Sequence, residues 1–184
     1  MPSAVVFLTE GFEEIEAITA IDLLRRGGVT VTTVSINGPD RVVTGSHGIP
    51  VTADKLFAPE ECGAYDMLVL PGGPGHKNYA KTEGFMALLE NSVKAGKYLA
   101  AICAAPTVLG ALGMLKGKKA VCFPGCEAQL TGALVLTDVP VVQDGNIITS
   151  RGAGTSVDFG LWLVAVLEGQ AAAEKLARDI VWRQ

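Results

Sequence analysis

The sequence is short of histidine, aromatic residues and clustered charge, and each shortage removes a class of function. His47 and His76 are the only imidazoles in 184 residues, and neither adjoins a cysteine. A cysteine hydrolase built on a neighbouring histidine base is therefore disfavoured. Lys and Arg form no run, and 15 basic against 19 acidic residues leave a net charge of −4. Nucleic acid needs a basic footprint, so it is not an expected partner. No apolar stretch reaches the roughly 18 uninterrupted residues that suggest a membrane span. The first residues begin a strand rather than a basic leader with a cleavage-like site, so the expectation is a cytoplasmic protein without a membrane partner. Aromatics at 6% and 22 glycines suit an α/β domain with tight ligand loops better than an aromatic-packed β-sandwich.

Several motifs are missing as well. No G-x-G-x-x-G or G-K-[ST] occurs, which argues against a dinucleotide or Walker-type site, and no serine has a G-x-S-x-G setting. There is no repeat, low-complexity tract or dividing linker, so residues 1–184 read as one domain. Cys62, Cys103, Cys122 and Cys126 are expected as free thiols. Cys122 and Cys126 have the spacing of half a zinc site, but no second pair completes it, and neither metal nor cofactor is expected.

What is present alternates strand and helix. Ala4–Leu8, a helix from Phe12 or Glu13 to Arg26, and Thr30–Ser35 make a βαβ unit, with Ile15, Ile18, Ile21 and Leu24 as the inward stripe. Arg41–Thr44 and Ile49–Ala53 read as a small ribbon, and Met67–Leu70 as a buried strand running into the glycine loop Pro71–Gly75. A helix is expected over Thr82–Ala95, a strand over Tyr98–Ile102, and a helix from after Cys103 to Leu112. Further on come strand pieces at Ala120–Cys122, Val135–Leu136 and Val141–Gln143, with Asp144-Gly145 turning a hairpin into Asn146–Ser150. Helices over Thr155–Leu167 and Gln170–Ile180 close the chain, with Leu176, Ile180 and Val181 facing inward. The pattern predicts a doubly wound, three-layer α/β sandwich with a mostly parallel sheet, whose ligand loops lie beyond the carboxyl ends of the strands.

Cys103 ends a buried strand and precedes a helix, the position of a nucleophile on an elbow. A helix start there is expected to lower its pKa, while the alternative is a buried, inert thiol. Among Glu13, Glu14 and Glu16, the last sits between Ile15 and Ala17 and is the candidate partner acid; the other two suit helix capping. The glycine loop is suited to an oxyanion hole, with the N–H groups of Gly73 and Ala104 aimed at an oxygen gaining charge. Arg151, in the loop RGAG, is placed either to bind an anionic group or to lock its loop to a neighbouring carboxylate. Arg26 suits the negative pole of the first helix, and His47 sits in an exposed-looking GSHG turn.

Taken together, GFEEIE at Gly11–Glu16, LPGG at Leu70–Gly73, AICAAP at Ala101–Pro106 and TSRGAGTS at Thr149–Ser156 resemble the ThiJ/PfpI superfamily. The similarity is to the arm holding the Parkinsonism-associated redox protein and its bacterial relatives, and it runs the length of the chain. It implies a flavodoxin-like fold, a homodimer, a nucleophilic and oxidation-sensitive Cys103, and Glu16 as its partner, with Gly73 and Ala104 as oxyanion donors. Phe123 stands where the Parkinsonism-associated protein has a histidine. Arg26 matches a pocket-side or dimer-side arginine, and His47 replaces another. The implied function is a cofactor-independent glyoxalase or deglycase acting on small carbonyl substrates. The alternative is a redox-sensing or chaperone-like oxidative-stress protein whose Cys103 is oxidised to sulfinic acid with little turnover. Ala104, where the peptidase arm has histidine, argues against proteolysis.

Overall fold

The computed structural model describes residues 1–183; Gln184, the last residue of the expected domain, lies outside the described residues. In chain order the elements are β1 (Ser3–Leu8), α1 (Glu14–Arg26), β2 (Thr30–Ser35), β3 (Val42–Thr44), β4 (Pro50–Thr52), β5 (Lys55–Leu56), α2 (Pro59–Cys62) and β6 (Met67–Leu70). They continue with α3 (Phe85–Lys94), β7 (Tyr98–Ile102), α4 (Pro106–Ala111), β8 (Lys119–Ala120), β9 (Leu134–Val135), β10 (Val141–Asp144), β11 (Ile147–Ser150), α5 (Ser156–Glu168) and α6 (Gln170–Asp179). Short 3-10 segments lie at Pro74–Lys81, Glu127–Gln129 and Ala153–Thr155.

The central sheet runs β10-β11-β7-β6-β1-β2-β5 and is parallel except for β10, which returns antiparallel to β11. Side chains alternate between its faces because strand periodicity is two. Val5 and Phe7 join the cluster that receives Phe85, Leu88 and Leu89 of α3, while Ala4 and Val6 join the cluster under α1, α5 and α6. The result is the three-layer α/β sandwich that the sequence pattern predicts, in the flavodoxin-like form that the resemblance implies. The chain leaves β1 toward β2 on one side, then returns to place β6 on the other. This order opens a crevice at the carboxyl ends of β1 and β6, where such sheets bind ligands.

Several local expectations are corrected. Ile15 and Ile18 are 56% and 41% exposed, so the buried residues of α1 are Glu14, Glu16, Ala17, Ala20, Ile21, Leu23 and Leu24. Close approach to α5 decides the rotation: a Cβ on Gly160 would come within 2.6 Å of Leu23 Cδ1, so α5 has a glycine where Leu23 packs. The helix after Cys103 is only six residues, because it starts at Pro106, whose fixed φ and missing N–H suit a first helical position, and Gly113 follows its end with φ +69°. The predicted start of α3 is too early, since Pro74–Lys81 takes up a 3-10 course and Gly84, at φ +77°, re-aims the chain. The hairpin turns at Gly145-Asn146, one residue later than expected, because Asp144 pairs with Ile147 inside the ladder. Leu176 is buried, but Val181 is 69% exposed with φ +60° just beyond α6. Ribbon β3–β4 forms as expected but as its own two-stranded sheet, and β8 and β9 pair apart from the main sheet.

Candidate active site

Three loops at the crevice carry the site. The first follows β1 and leads into α1. Glu13 is the N-cap of that helix, and its Oε2 accepts the Glu16 N–H at 2.8 Å. This capping is worth about 1 kcal/mol and fixes the first turn. It turns Glu16 inward, where the side chain is 1% exposed.

The second loop is Pro71–Gly75. The Gly72 N–H donates to Glu16 Oε2 at 2.8 Å. A Cβ on Gly72 would lie 2.6 Å from Cys103 Cβ and 2.8 Å from Glu16 Oε2, so only glycine lets these two side chains close over the backbone. Gly73 has φ +86°, and a Cβ there would meet Glu13 N and Gly11 O at 2.6 Å. Buried Tyr79 anchors the loop from below. Its hydroxyl donates to Pro71 O at 2.9 Å, and its ring stacks on Phe85 with centroids 5.0 Å apart.

The third loop is the elbow after β7. Cys103 is 8% exposed and holds φ +66°, a left-handed conformation that costs a non-glycine residue about 1–3 kcal/mol. Its own backbone contacts enforce it. The Cys103 N–H donates to Ser150 O at 3.0 Å, and Cys103 O accepts the Phe123 N–H at 2.8 Å.

The electrostatics follow from burial. Burial pushes the Glu16 carboxyl up to about 7, against hydrogen bonds from Cys103 and Gly72 that favour its charged form. The Cys103 thiol is likewise raised, first by burial and then by the Glu16 charge, while the N–H groups of Gly73 and Ala104 act on the sulfur in the opposite direction. The expected lowering of the thiol pKa by a helix start is therefore corrected. The six-residue α4 begins three residues beyond Cys103, and the nearer influences are an apolar surround and a carboxylate. Glu16 Oε1 is buried without a hydrogen-bond partner among the described residues, while the Cys103 thiol acts on the same carboxyl group. The pair is arranged to share one proton.

The remaining candidates are dispersed. Phe123, 50% exposed, lies over Gly152, where a Cβ would come within 3.3 Å of the ring. Phe123 and Arg151 line one shallow cleft with Pro124, Gly152, Ala153, Gly154 and Thr155. Arg26 sits at the far end of α1 from Glu16 and pairs with Asp22 at 2.6 Å. The exposed His47 donates its backbone N–H to Glu14 Oε1 at 2.6 Å, and its Nδ1 lies 2.9 Å from Glu14 Oε2. Burial works to raise the Glu14 carboxyl, but these bonds bring it down to about 2, and Glu14 in turn raises the His47 pKa.

Glu13, Glu14 and His47 bring ligand atoms within 4.8 Å of one another, the only such group of three among the described residues. The mutual hydrogen bonds of Glu14 and His47 account for their approach without a metal. All four cysteines are free. Sequence reasoning missed Tyr79, and it expected His76, after the glycine loop, to be a surface histidine. His76 Nδ1 lies 2.9 Å from Gly73 O, and no motif signals either residue. Among the described residues, no helix is long and apolar enough to cross a membrane.

Comparison with known proteins agrees with this geometry. The chain is 38% identical over 181 residues to protein dj-1beta of Drosophila melanogaster, covering 97% of this chain and 96% of that one. It is 34% identical over 181 residues to the glutathione-independent glyoxalase DJR-1.2 of Caenorhabditis elegans, covering 97% and 95%. A DJ-1 superfamily protein from Salmonella typhimurium superposes with a TM-score of 0.92 at 37% identity, over 100% of both chains. The model of the DJ-1/PfpI family matches residues 2–166. With the fold, the elbow cysteine and the buried glutamate in place, the chain belongs to the DJ-1/PfpI family.

Proposed function

We propose that this protein is a cofactor-independent, cysteine-dependent enzyme that converts small 2-oxoaldehydes to 2-hydroxy acids, or acts on their adducts, with Cys103 as nucleophile and Glu16 as acid and base. The observation that carries the reading is the buried Glu16 carboxyl, with a pKa of about 7, against the Cys103 thiol. A carboxylate of that strength can take the thiol proton as sulfur attacks the aldehyde carbon and can return it near neutral pH. The name of the nematode relative supports the same reaction type.

The sulfur adds to the aldehyde, and the N–H groups of Gly73 and Ala104 receive the oxyanion before Glu16 protonates it to a hemithioacetal. Glu16, again ionised, removes the proton from the former aldehyde carbon, giving an enediol, and delivers it to the neighbouring carbon. The first carbon is thereby oxidised to a thioester and the second reduced to an alcohol. Water then hydrolyses the thioester, so methylglyoxal plus water gives lactate without an external oxidant. Exposed Ile15 and Ile18 on α1 support pairing of two copies across that helix, which sedimentation would test.

The deciding experiment measures lactate from methylglyoxal with the wild type, Cys103→Ala and Glu16→Ala. Both variants are expected to lose at least about a hundredfold in kcat, the scale of a nucleophile or general base. Equal production by all three proteins rejects the mechanism.

A further inference from the structure

The site is electrostatically lopsided. Glu10, Glu13, Glu14 and Glu16 cluster on the side of β1 and α1, and each accepts at least one backbone hydrogen bond there. On the other side of Cys103, Arg151 is the one charged residue lining the cleft it shares with Phe123, and Glu127 of the neighbouring loop acts with it on Cys122. Its position is set by the sheet. Ser150 is in register with Ile102, and the Ser150 carbonyl takes the Cys103 N–H, so Arg151 leaves β11 level with the nucleophile. Phe123, whose N–H holds the Cys103 carbonyl, forms the facing wall.

Of the two uses the sequence left open for Arg151, the carboxylate lock is not made. No acid among the described residues pairs with its guanidinium, whereas Arg25, Arg26 and Arg183 each hold an aspartate. The loop is locked by other means. Thr155 Oγ1 accepts the Gly152 N–H at 3.1 Å and lies 2.7 Å from Ser150 Oγ, and the Thr155 N–H donates to Gly152 O at 2.8 Å. A stiff backbone therefore sets a half-buried arginine without an acid partner on a cleft of about 270 Å³, whose facing residue Phe123 is hydrogen-bonded to the Cys103 carbonyl.

We infer that Arg151 is a substrate-binding residue that takes a carboxylate on the tail of the substrate, making carboxylate-bearing 2-oxoaldehydes the preferred class. This inference rests on the proposed function for its chemistry. The guanidinium fork matches a carboxylate in two parallel hydrogen bonds. A tail anchored at Arg151 leaves the aldehyde end toward Cys103, and the glutamates on the opposite side disfavour the reversed pose. Binding at both ends thus orients the carbonyl for attack.

Two probes of matched length test it: 4,5-dioxopentanoate, which carries the carboxylate, and 2-oxopentanal, which ends in methyl. The wild type is expected to favour the acid in kcat/KM by about tenfold, the scale of one charge-assisted interaction. Arg151→Gln should bring that ratio toward one, and Arg151→Lys should retain part of it. A ratio that is the same in wild type and Arg151→Gln overturns the inference. If wild type and Cys103→Ala turn over 2-oxopentanal equally, the proposed function fails, and binding then decides about Arg151. Calorimetry of 4,5-dioxopentanoate with Cys103→Ala and with the Cys103→Ala/Arg151→Gln double variant should show about tenfold weaker binding to the second. Equal affinity also overturns the inference.

Discussion

Gly72 and Cys103 stand so close that a methyl group on the first would lie 2.6 Å from Cβ of the second. The glycine loop and the elbow are therefore one packed unit, joined through Glu16, whose carboxylate lies 2.8 Å from the same absent methyl.

Gly72→Ala should consequently damage site and fold together. The neighbours are a strained elbow and a buried carboxyl, neither able to retreat, and overpacking of this kind costs about 1–3 kcal/mol. Thermal unfolding should show a lowered Tm, and lactate production should fall at least about tenfold. Unchanged Tm and activity would mean that the loop can move away from Cys103.

The pH dependence of stability carries the signature of Glu16. Its native pKa of about 7 lies above the ordinary 4.5, so the folded protein holds a proton that the unfolded chain releases. Below about 4.5 both states are protonated and the contribution is complete. It is lost as pH rises from about 4.5 through about 7, and above that no further loss occurs, for a total on the order of 3 kcal/mol. Urea unfolding at pH 4.5 to 8 should show this decline in the wild type relative to Glu16→Gln, which has nothing to titrate there. Parallel profiles would place the titration elsewhere.

Tyr79→Phe removes one hydroxyl far below the reacting atoms. Pro71 O loses its 2.9 Å donor in a buried setting, a cost of about 1–3 kcal/mol, while ring stacking on Phe85 is kept. The loop that carries Gly72 and Gly73 should loosen, so kcat is expected to fall several-fold with little change in KM. An activity equal to wild type, at equal stability, would assign the Tyr79 hydroxyl no part in holding the loop.

Where sequence reading succeeded, the signal was local. Continuous apolar runs with short polar breaks marked β1, β6 and β7, and the abrupt change at Cys103 marked the elbow. Residue spacing on a helix and an apolar flank singled out Glu16, which the structure buries, but Glu14 is buried too, against His47. The reading went astray where a local pattern met a distant surface. Ile15 and Ile18 fit a helical stripe, yet the close packing of Leu23 on Gly160 of α5 sets the rotation of α1 and leaves the isoleucines outward. Tyr79 and the 3-10 course around it have no periodic signature, because their order comes from Pro71 and Phe85 rather than from neighbours in sequence.

The sequence alone determined the alternation of strand and helix, the parallel sheet and the candidacy of Cys103, since backbone propensity, apolar periodicity and glycine punctuation act over a few residues. Tertiary structure alone decided the protonation chemistry. The Cys103 pKa rises because an apolar surround and Glu16, 87 positions earlier in the chain, reach the sulfur at a sheet edge made of β1, β6 and β7. It also decided the state of Arg151: whether an arginine pairs with a carboxylate depends on how loops converge, and although Glu127 and Arg151 both act on Cys122, no ion pair to Arg151 forms among the described residues.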